Sequence, residues 1–323
     1  MTGSQDHDNS PITPEQATTH GIVVGVDGSE QSVSAAKWGA REAELRDLPL
    51  TLVTAYTMPV FAASALEAGY GIPDDTMIRD GAMQVLQGVV NQLGNLNVPL
   101  VHRVEMGDAA GVLVDYSANA NLLVAGTRGR GGFLGRLLGS VAGALPAHAK
   151  CPVVIVPKGE HASRAAEGIP VVVGVDGSEQ GRVAALAAAL EAEVRKSPLR
   201  VVIAMPPISG AVAWLPATVD EQAMIEEMQE KLEAGIEWLR SEFPGLQVSS
   251  EIIDGVPVDV MVGESKTARL TVIGTRGHGG FTGALLGSTS QGVISHAHGP
   301  VMVVPYLKDS RLATRASFGP MYS

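Results

Sequence analysis

The sequence holds one cysteine, Cys151, in 323 residues. A single thiol excludes an internal disulfide and a cysteine-built metal cluster, and it fits a reducing compartment. Positive charge is in short supply: 23 lysines and arginines stand against 34 acidic residues, a net charge of −11. That balance argues against a surface built for nucleic acid or anionic membrane, so a bound phosphate must be held by local geometry against the global field. No apolar run is long enough to span a bilayer. Residues 1–16 are polar and lack the apolar centre of a signal peptide, which points to the cytoplasm. Two familiar nucleotide motifs are also missing. No glycine precedes a lysine, so there is no P-loop and no lysine to draw on a terminal phosphate. After the first apolar run the chain reads Gly25-Val-Asp27-Gly-Ser29-Glu, which fails the G-x-G-x-x-G of dinucleotide folds.

What is present is a duplication. Val23-Val-Gly25-Val-Asp27-Gly-Ser29-Glu-Gln returns as Val172-Val-Gly174-Val-Asp176-Gly-Ser178-Glu-Gln, and Pro152-Val-Val-Ile-Val-Pro157 returns as Pro300-Val-Met-Val-Val-Pro305. Between them, Gly126-Thr127-Arg128-Gly129-Arg-Gly131-Gly132-Phe-Leu-Gly-Arg-Leu-Leu-Gly139-Ser140 returns as Gly274-Thr275-Arg276-Gly277-His-Gly279-Gly280-Phe-Thr-Gly-Ala-Leu-Leu-Gly287-Ser288. A period of almost 150 residues is a duplicated domain, since solenoid repeats run about 20 to 50 residues. The expected domains are 20–157 and 169–306, joined by a polar linker at 158–168, with flexible ends at 1–19 and 307–323.

Within each copy, valine-, isoleucine- and leucine-rich runs alternate with helical patterns. In the first, strands are expected near 21–27, 50–55, 100–104, 121–126 and 152–156, and helices near 29–45, 74–93, 108–118 and 140–149. Near-continuous apolar strands are covered on both faces, and strand–helix alternation implies right-handed crossovers and a parallel sheet. In the second copy Val183, Leu186, Leu190 and Val194 fall on one helix face, with Arg182, Glu191 and Lys196 among its polar positions. Ser29 and Ser178 read as N-caps. The connections at 58–73 and 206–219 are long enough to lie over a site or make a surface excursion.

Each glycine loop follows an apolar run and leads into a helix start. Bare glycine backbone lets N–H groups approach phosphate oxygens, and the helix N-terminus adds its dipole. Asp27 and Asp176 close the first strand of each copy. Across a reversal of strand order they would face the loops and accept ribose hydroxyls or help hold a phosphate-bridging metal. Gly107 and Gly255 belong to the same rim. Asp-Gly-Ser taken alone also makes a simple turn and helix cap, a reading that weakens once the same three residues recur ahead of the same loop. His278 aligns with Arg130 and reads as a solvated loop residue. The loops supply no evident general base.

These residues resemble the universal stress protein family, in its tandem-domain, ATP-binding form, over nearly all of 21–157 and 170–305. The motif Gly-x2-Gly-x9-Gly-Ser is met by Gly126, Gly129, Gly139 and Ser140, and again by Gly274, Gly277, Gly287 and Ser288. The resemblance implies two α/β, doubly wound, Rossmann-like domains, each a five-stranded parallel sheet of order 3-2-1-4-5 with helices on both faces. It implies ATP in each crevice, with Mg2+ accompanying the nucleotide. In the first domain the implied contacts are Gly25, Asp27, Ala55, Gly107, Gly126, Thr127, Arg128, Gly129, Gly131, Gly132, Gly139, Ser140 and Val141. In the second they are Gly174, Asp176, Ala204, Gly255, Gly274, Thr275, Arg276, Gly277, Gly279, Gly280, Gly287, Ser288 and Thr289. The loop by itself suits ATP, AMP or a cyclic nucleotide alike. The family's usual dimer pairs final strands edge to edge, which implies a homodimer through those edges. Residues 153–156 and 301–304 offer the same pairing inside one chain. The copies differ at Arg136/Ala284 and Val141/Thr289, which sets equal affinity of the two sites in question. The expected function is a nucleotide-dependent regulator of a stress response, with a slow ATPase or self-phosphorylating enzyme as the alternative. No catalytic residue is assigned, because fast phosphoryl transfer relies on placed positive charge that neither loop's lysine content supplies.

Overall fold

The computed structural model describes residues 20–58, 75–129, 138–159, 167–206, 221–277, 286–306 and 309–313, without the side chains of 221–224. The expected flexible N-terminal end, most of the linker and nearly all of the connections at 58–73 and 206–219 lie outside the described residues, as does most of the expected flexible C-terminal tail. Residues 309–313 of that tail are described and correct the expectation, forming a helical turn whose Leu312 packs against the core.

The first half runs β1 (Ile22–Gly25), α1 (Glu30–Arg46), β2 (Leu50–Tyr56), α2 (Asp75–Val90), β3 (Leu100–Met106), α3 (Ala109–Ser117), β4 (Leu122–Gly126), α4 (Ser140–His148) and β5 (Val153–Val156). The second repeats it as β6 (Val171–Gly174), α5 (Glu179–Val194), β7 (Leu199–Met205), α6 (Glu221–Glu242), β8 (Val248–Asp254), α7 (Pro257–Glu264), β9 (Leu270–Gly274), α8 (Ser288–His296) and β10 (Val301–Val304). A single turn, α9 (Ser310–Ala313), follows. Strand β1 stops at Gly25, two residues short of the expected Asp27. The Asp27 carboxylate instead folds back to accept from Ser29 N at 3.0 Å and Ser29 Oγ at 2.6 Å, while Gly28 takes a φ of +77°. That turn launches α1, whose N-cap Ser29 accepts from Ser32 N.

The ten strands among the described residues form one sheet of order β3-β2-β1-β4-β5-β10-β9-β6-β7-β8. Each half therefore has the order 3-2-1-4-5, and its strands pair in parallel. The halves join antiparallel through β5 and β10, Met302 lying opposite Val154. This corrects the expected homodimer route: each final strand is already flanked on both sides, so neither offers a free edge to a second chain.

Two apolar layers hold the helices. One packs α1, α2, α5 and α6 on one face through residues such as Trp38, Leu86, Leu186 and Ile236. The other packs α3, α4, α7 and α8 on the opposite face through Leu113, Leu145, Met261 and Ile294. Strands β1, β4, β5 and β10 are buried almost throughout, which explains their unbroken apolar sequences. One helix expectation changes: Glu191, counted among the polar positions of α5, is only 9% exposed, whereas Val194 is 37% exposed.

Candidate functional site

Strand order reverses between β1 and β4, which pair in parallel with Val24 beside Val124. The chain leaves those two strands in opposite directions, so a crevice opens beyond their carboxyl ends. Into it the first half places three things: the Asp27 turn, the start of the glycine loop and the N-terminus of α4.

The loop is fastened at both of its described ends. Thr127 N donates to Val156 O at 3.3 Å, and Gly139 N donates back to Thr127 O at 2.8 Å. Gly287 N donates to Thr275 O at the same 2.8 Å in the second half, so both loops close alike. Gly139 and Gly287 are the N-caps of α4 and α8, and neither helix has a side-chain cap hydrogen bond. Both caps are extended, with φ near −75° and −72°. The described loop glycines serve close packing, not a left-handed backbone. A Cβ on Gly126 would lie 2.8 Å from the backbone carbonyl of Gln31. A Cβ on Gly129 would collide with the Asp27 carboxylate, and one on Gly277 with that of Asp176. Carboxylate and loop thus touch in both halves.

Around this junction the first half encloses a cavity of about 400 Å³. Of the residues expected from sequence, Gly25, Asp27, Ala55, Gly126, Arg128, Gly129, Gly139, Ser140 and Val141 line it. Thr127 instead serves as the loop's fastening. Gly107 sits on the rim, where its N donates to Tyr56 O at 2.8 Å and its φ of +154° turns the chain toward α3. Gly131 and Gly132 lie outside the described residues. Sequence reasoning missed the apolar wall: Val53, Leu113, Leu138 and Ala142 line the cavity, as do Val26, Ser32, Ala109 and Ala125. Val53 could have been found from period two, being the same-face neighbour of Ala55 on β2. The α3 contribution is a tertiary placement with no local signal.

In the second half Gly174, Ala204, Gly274, Ser288 and Thr289 occupy the equivalent places on β6, β7, β9 and α8, with Asp176 just past β6 and Arg276 and Gly277 just past β9. Asp176 Oδ1 accepts from Ser178 N at 3.0 Å, as its counterpart does from Ser29. Gly255 repeats the rim contact, donating to Met205 O at 2.8 Å. Thr275 is buried, and Gly279 and Gly280 lie outside the described residues. Met261 stands where Leu113 does, so a Cβ on Gly174 would meet its sulfur at 2.8 Å and one on Gly25 would meet Leu113 Cδ1 at 2.6 Å.

The architecture and this duplicated loop site match a known family. The universal stress protein family model matches residues 19–157 and 170–305. The chain belongs to the universal stress protein family. A universal stress protein of Mycobacterium tuberculosis strain H37Rv is 35% identical over 294 residues, covering 88% of this chain and 95% of that one. The crystal structure of a universal stress protein from Archaeoglobus fulgidus shares the fold, with a TM-score of 0.62 at 20% identity over 91% of this chain and 99% of that one. A family protein from Arabidopsis thaliana, solved with AMP bound, is 20% identical over 44% of this chain and 94% of its own, with a TM-score of 0.30. Among the described residues no helix is long and apolar enough to cross a membrane. Nor, among them, does any group of three or more histidines, cysteines, aspartates or glutamates stand ready to hold a metal ion.

Proposed function

We propose that this universal stress protein is an ATP-binding regulator of a cytoplasmic stress response, with one nucleotide site in each of two domains, 20–157 and 169–306. The observation that carries this reading is the meeting of Asp27, the Gly126–Gly129 turn and the α4 N-terminus around one cavity of about 400 Å³. That volume falls within the usual range for small-molecule sites, roughly 300 to 1,000 Å³. The residues fit the nucleotide: a cradle that a Cβ would fill suits phosphate oxygens, and an adjacent carboxylate suits a ribose. In this reading Gly126, Gly129, Gly139 and Ser140 receive the phosphates, Asp27 the ribose and Ala55 with its apolar neighbours the base. The second-half counterparts take the same roles. Mg2+ would be held by nucleotide phosphates with at most one carboxylate from each half, as that ion commonly is.

A slow ATPase or self-phosphorylating enzyme would use the same sites. The regulator is favoured because the sequence carries no P-loop lysine, and phosphoryl transfer depends on positive charge placed on the transferring group. The test is chromatography of the nucleotide released when freshly purified protein is denatured. The reading expects ATP in the released fraction. A preparation that carries no adenine nucleotide, and takes up none on incubation with ATP, contradicts it.

A further inference from the structure

The two halves match at the loop and differ on the cavity floor. Ala125, the last residue before Gly126, is 3% exposed and lines the first-half cavity. The same place before Gly274 is Ile273, 4% exposed. The backbone positions are equivalent, since Ala125 pairs with Ile155 on β5 and Ile273 with Val303 on β10. Both side chains enter the layer under α3, α4, α7 and α8. Isoleucine thus puts three more carbons where alanine leaves room. Two further differences run the same way. Gly126 and Thr127 are partly exposed, whereas Gly274 and Thr275 are buried. Ser290 Oγ donates to Gly274 O at 2.7 Å, where Ala142 in the first half carries no hydroxyl and lines the cavity.

The room beside Ala125 is bounded by hydrocarbon, Val53 and Leu113 belonging to the same apolar cluster. It therefore suits apolar bulk on a ligand, and it is unsuited to a second phosphate, whose desolvation nothing there would offset. We propose that Ala125 and Ile273 make the two sites select differently. The first half accepts adenine nucleotides enlarged by an apolar group on the base, and the second half rejects them. This rests on the reading of the first-half cavity and its second-half counterpart as nucleotide sites.

The experiment titrates ATP, and ATP bearing a benzyl or benzylamino group at N6, C8 or C2 in turn, into nucleotide-free full-length protein. Wild type, Ala125→Ile and Ile273→Ala are compared. Wild type should bind at least one enlarged nucleotide at one site per chain while binding ATP at two. Ala125→Ile should lower the affinity ratio of that analogue to ATP by at least about tenfold, the scale at which a pocket discriminates by a methylene. Ile273→Ala should raise the analogue stoichiometry towards two. Should Ala125→Ile fail to fold, Ala125→Val takes its place and Ile273→Ala still decides the matter. Rejection of every enlarged nucleotide by wild type, or an unchanged ratio in both variants, overturns the proposal and leaves the nucleotide sites standing. Failure of wild type to bind ATP itself would bring down both.

Discussion

Arg195, the C-cap of α5, donates through Nη2 to Glu42 on α1 at 2.7 Å, across 153 residues of sequence. The contact has a mirror: Arg46 donates to Glu191 at 2.9 and 2.7 Å, and to its own neighbour Glu42 at 3.1 Å. Arg195 likewise bonds to Glu191 one turn away. Four charges therefore close a ring between the halves, and Glu42, Glu191 and Arg195 are all less than a tenth exposed. Burial pulls the Arg46 guanidinium down, but Glu191 and Glu42 outweigh it and hold it above its ordinary value. Trp38 stacks near Arg195, 6.0 Å from its ring centre to the guanidinium.

Removing one member of this ring strands a buried charge. Arg195→Met should lower the unfolding free energy by about 3 to 5 kcal/mol, whereas replacing all four charges by well-packed apolar residues should cost far less. Urea unfolding of the single and quadruple variants measures both. A loss below about 1 kcal/mol for Arg195→Met would place the ring in the weak class of surface pairs.

Glycine substitutions should act on one half at a time. Gly129→Ala drives a Cβ into the Asp27 carboxylate, and Gly277→Ala does the same to Asp176. Each should weaken ATP at its own site at least about tenfold, the effect of losing one charge-assisted contact. Gly126→Ala should also destabilise the fold more than Gly274→Ala. The first Cβ meets the Gln31 backbone at 2.8 Å, and the second meets Gln180 at 3.2 Å. Site-resolved titration and thermal melts read the two effects. Both sites weakening together in Gly129→Ala would contradict the separation.

Cys151 should be inert in the folded protein. Burial pushes its thiol up to about 12 from the ordinary range near 9. The raised value keeps the neutral thiol dominant up to that pH, whereas a free cysteine ionises from about 8.5 and then reacts as thiolate. Alkylation by iodoacetamide at pH 8 should require unfolding. Labelling of native protein at the rate of a free thiol would show that the β5 start opens.

ATP turnover should fall well below the usual enzyme range of about 1 to 10³ per second, for want of a lysine on the cradle. Radiolabelled ATP incubated with the protein measures phosphate release. Rapid multiple turnover, lost in Asp27→Ala/Asp176→Ala, would move the assignment from regulator to enzyme.

Much of this fold was legible because the signals were local and said twice. Apolar runs such as Leu122–Gly126 and their repeats marked the buried strands, and Asp27-Gly-Ser29 marked a cap the structure retains. The order 3-2-1-4-5 came from the family resemblance, since pairing of β1 with β4 has no signal in either strand alone. The charged ring stayed hidden because Glu42 and Arg46 at i and i+4 on a helix look like an ordinary solvated pair. Only packing α1 against α5 buries them. The cavity floor stayed hidden for a related reason. Ala125 and Ile273 are both good strand residues, and their difference acquires meaning only beside Leu113 and Ala142.

Titration calorimetry of ATP into nucleotide-free, full-length protein reads the proposed two-site binding itself. The account predicts saturable binding with a stoichiometry above one and approaching two per chain. Asp27→Ala should weaken one of those sites by about 1.5 to 3 kcal/mol, the scale of a hydrogen bond to a charged group, and leave the other. Absence of binding, or a wild-type stoichiometry clearly below one, would contradict it.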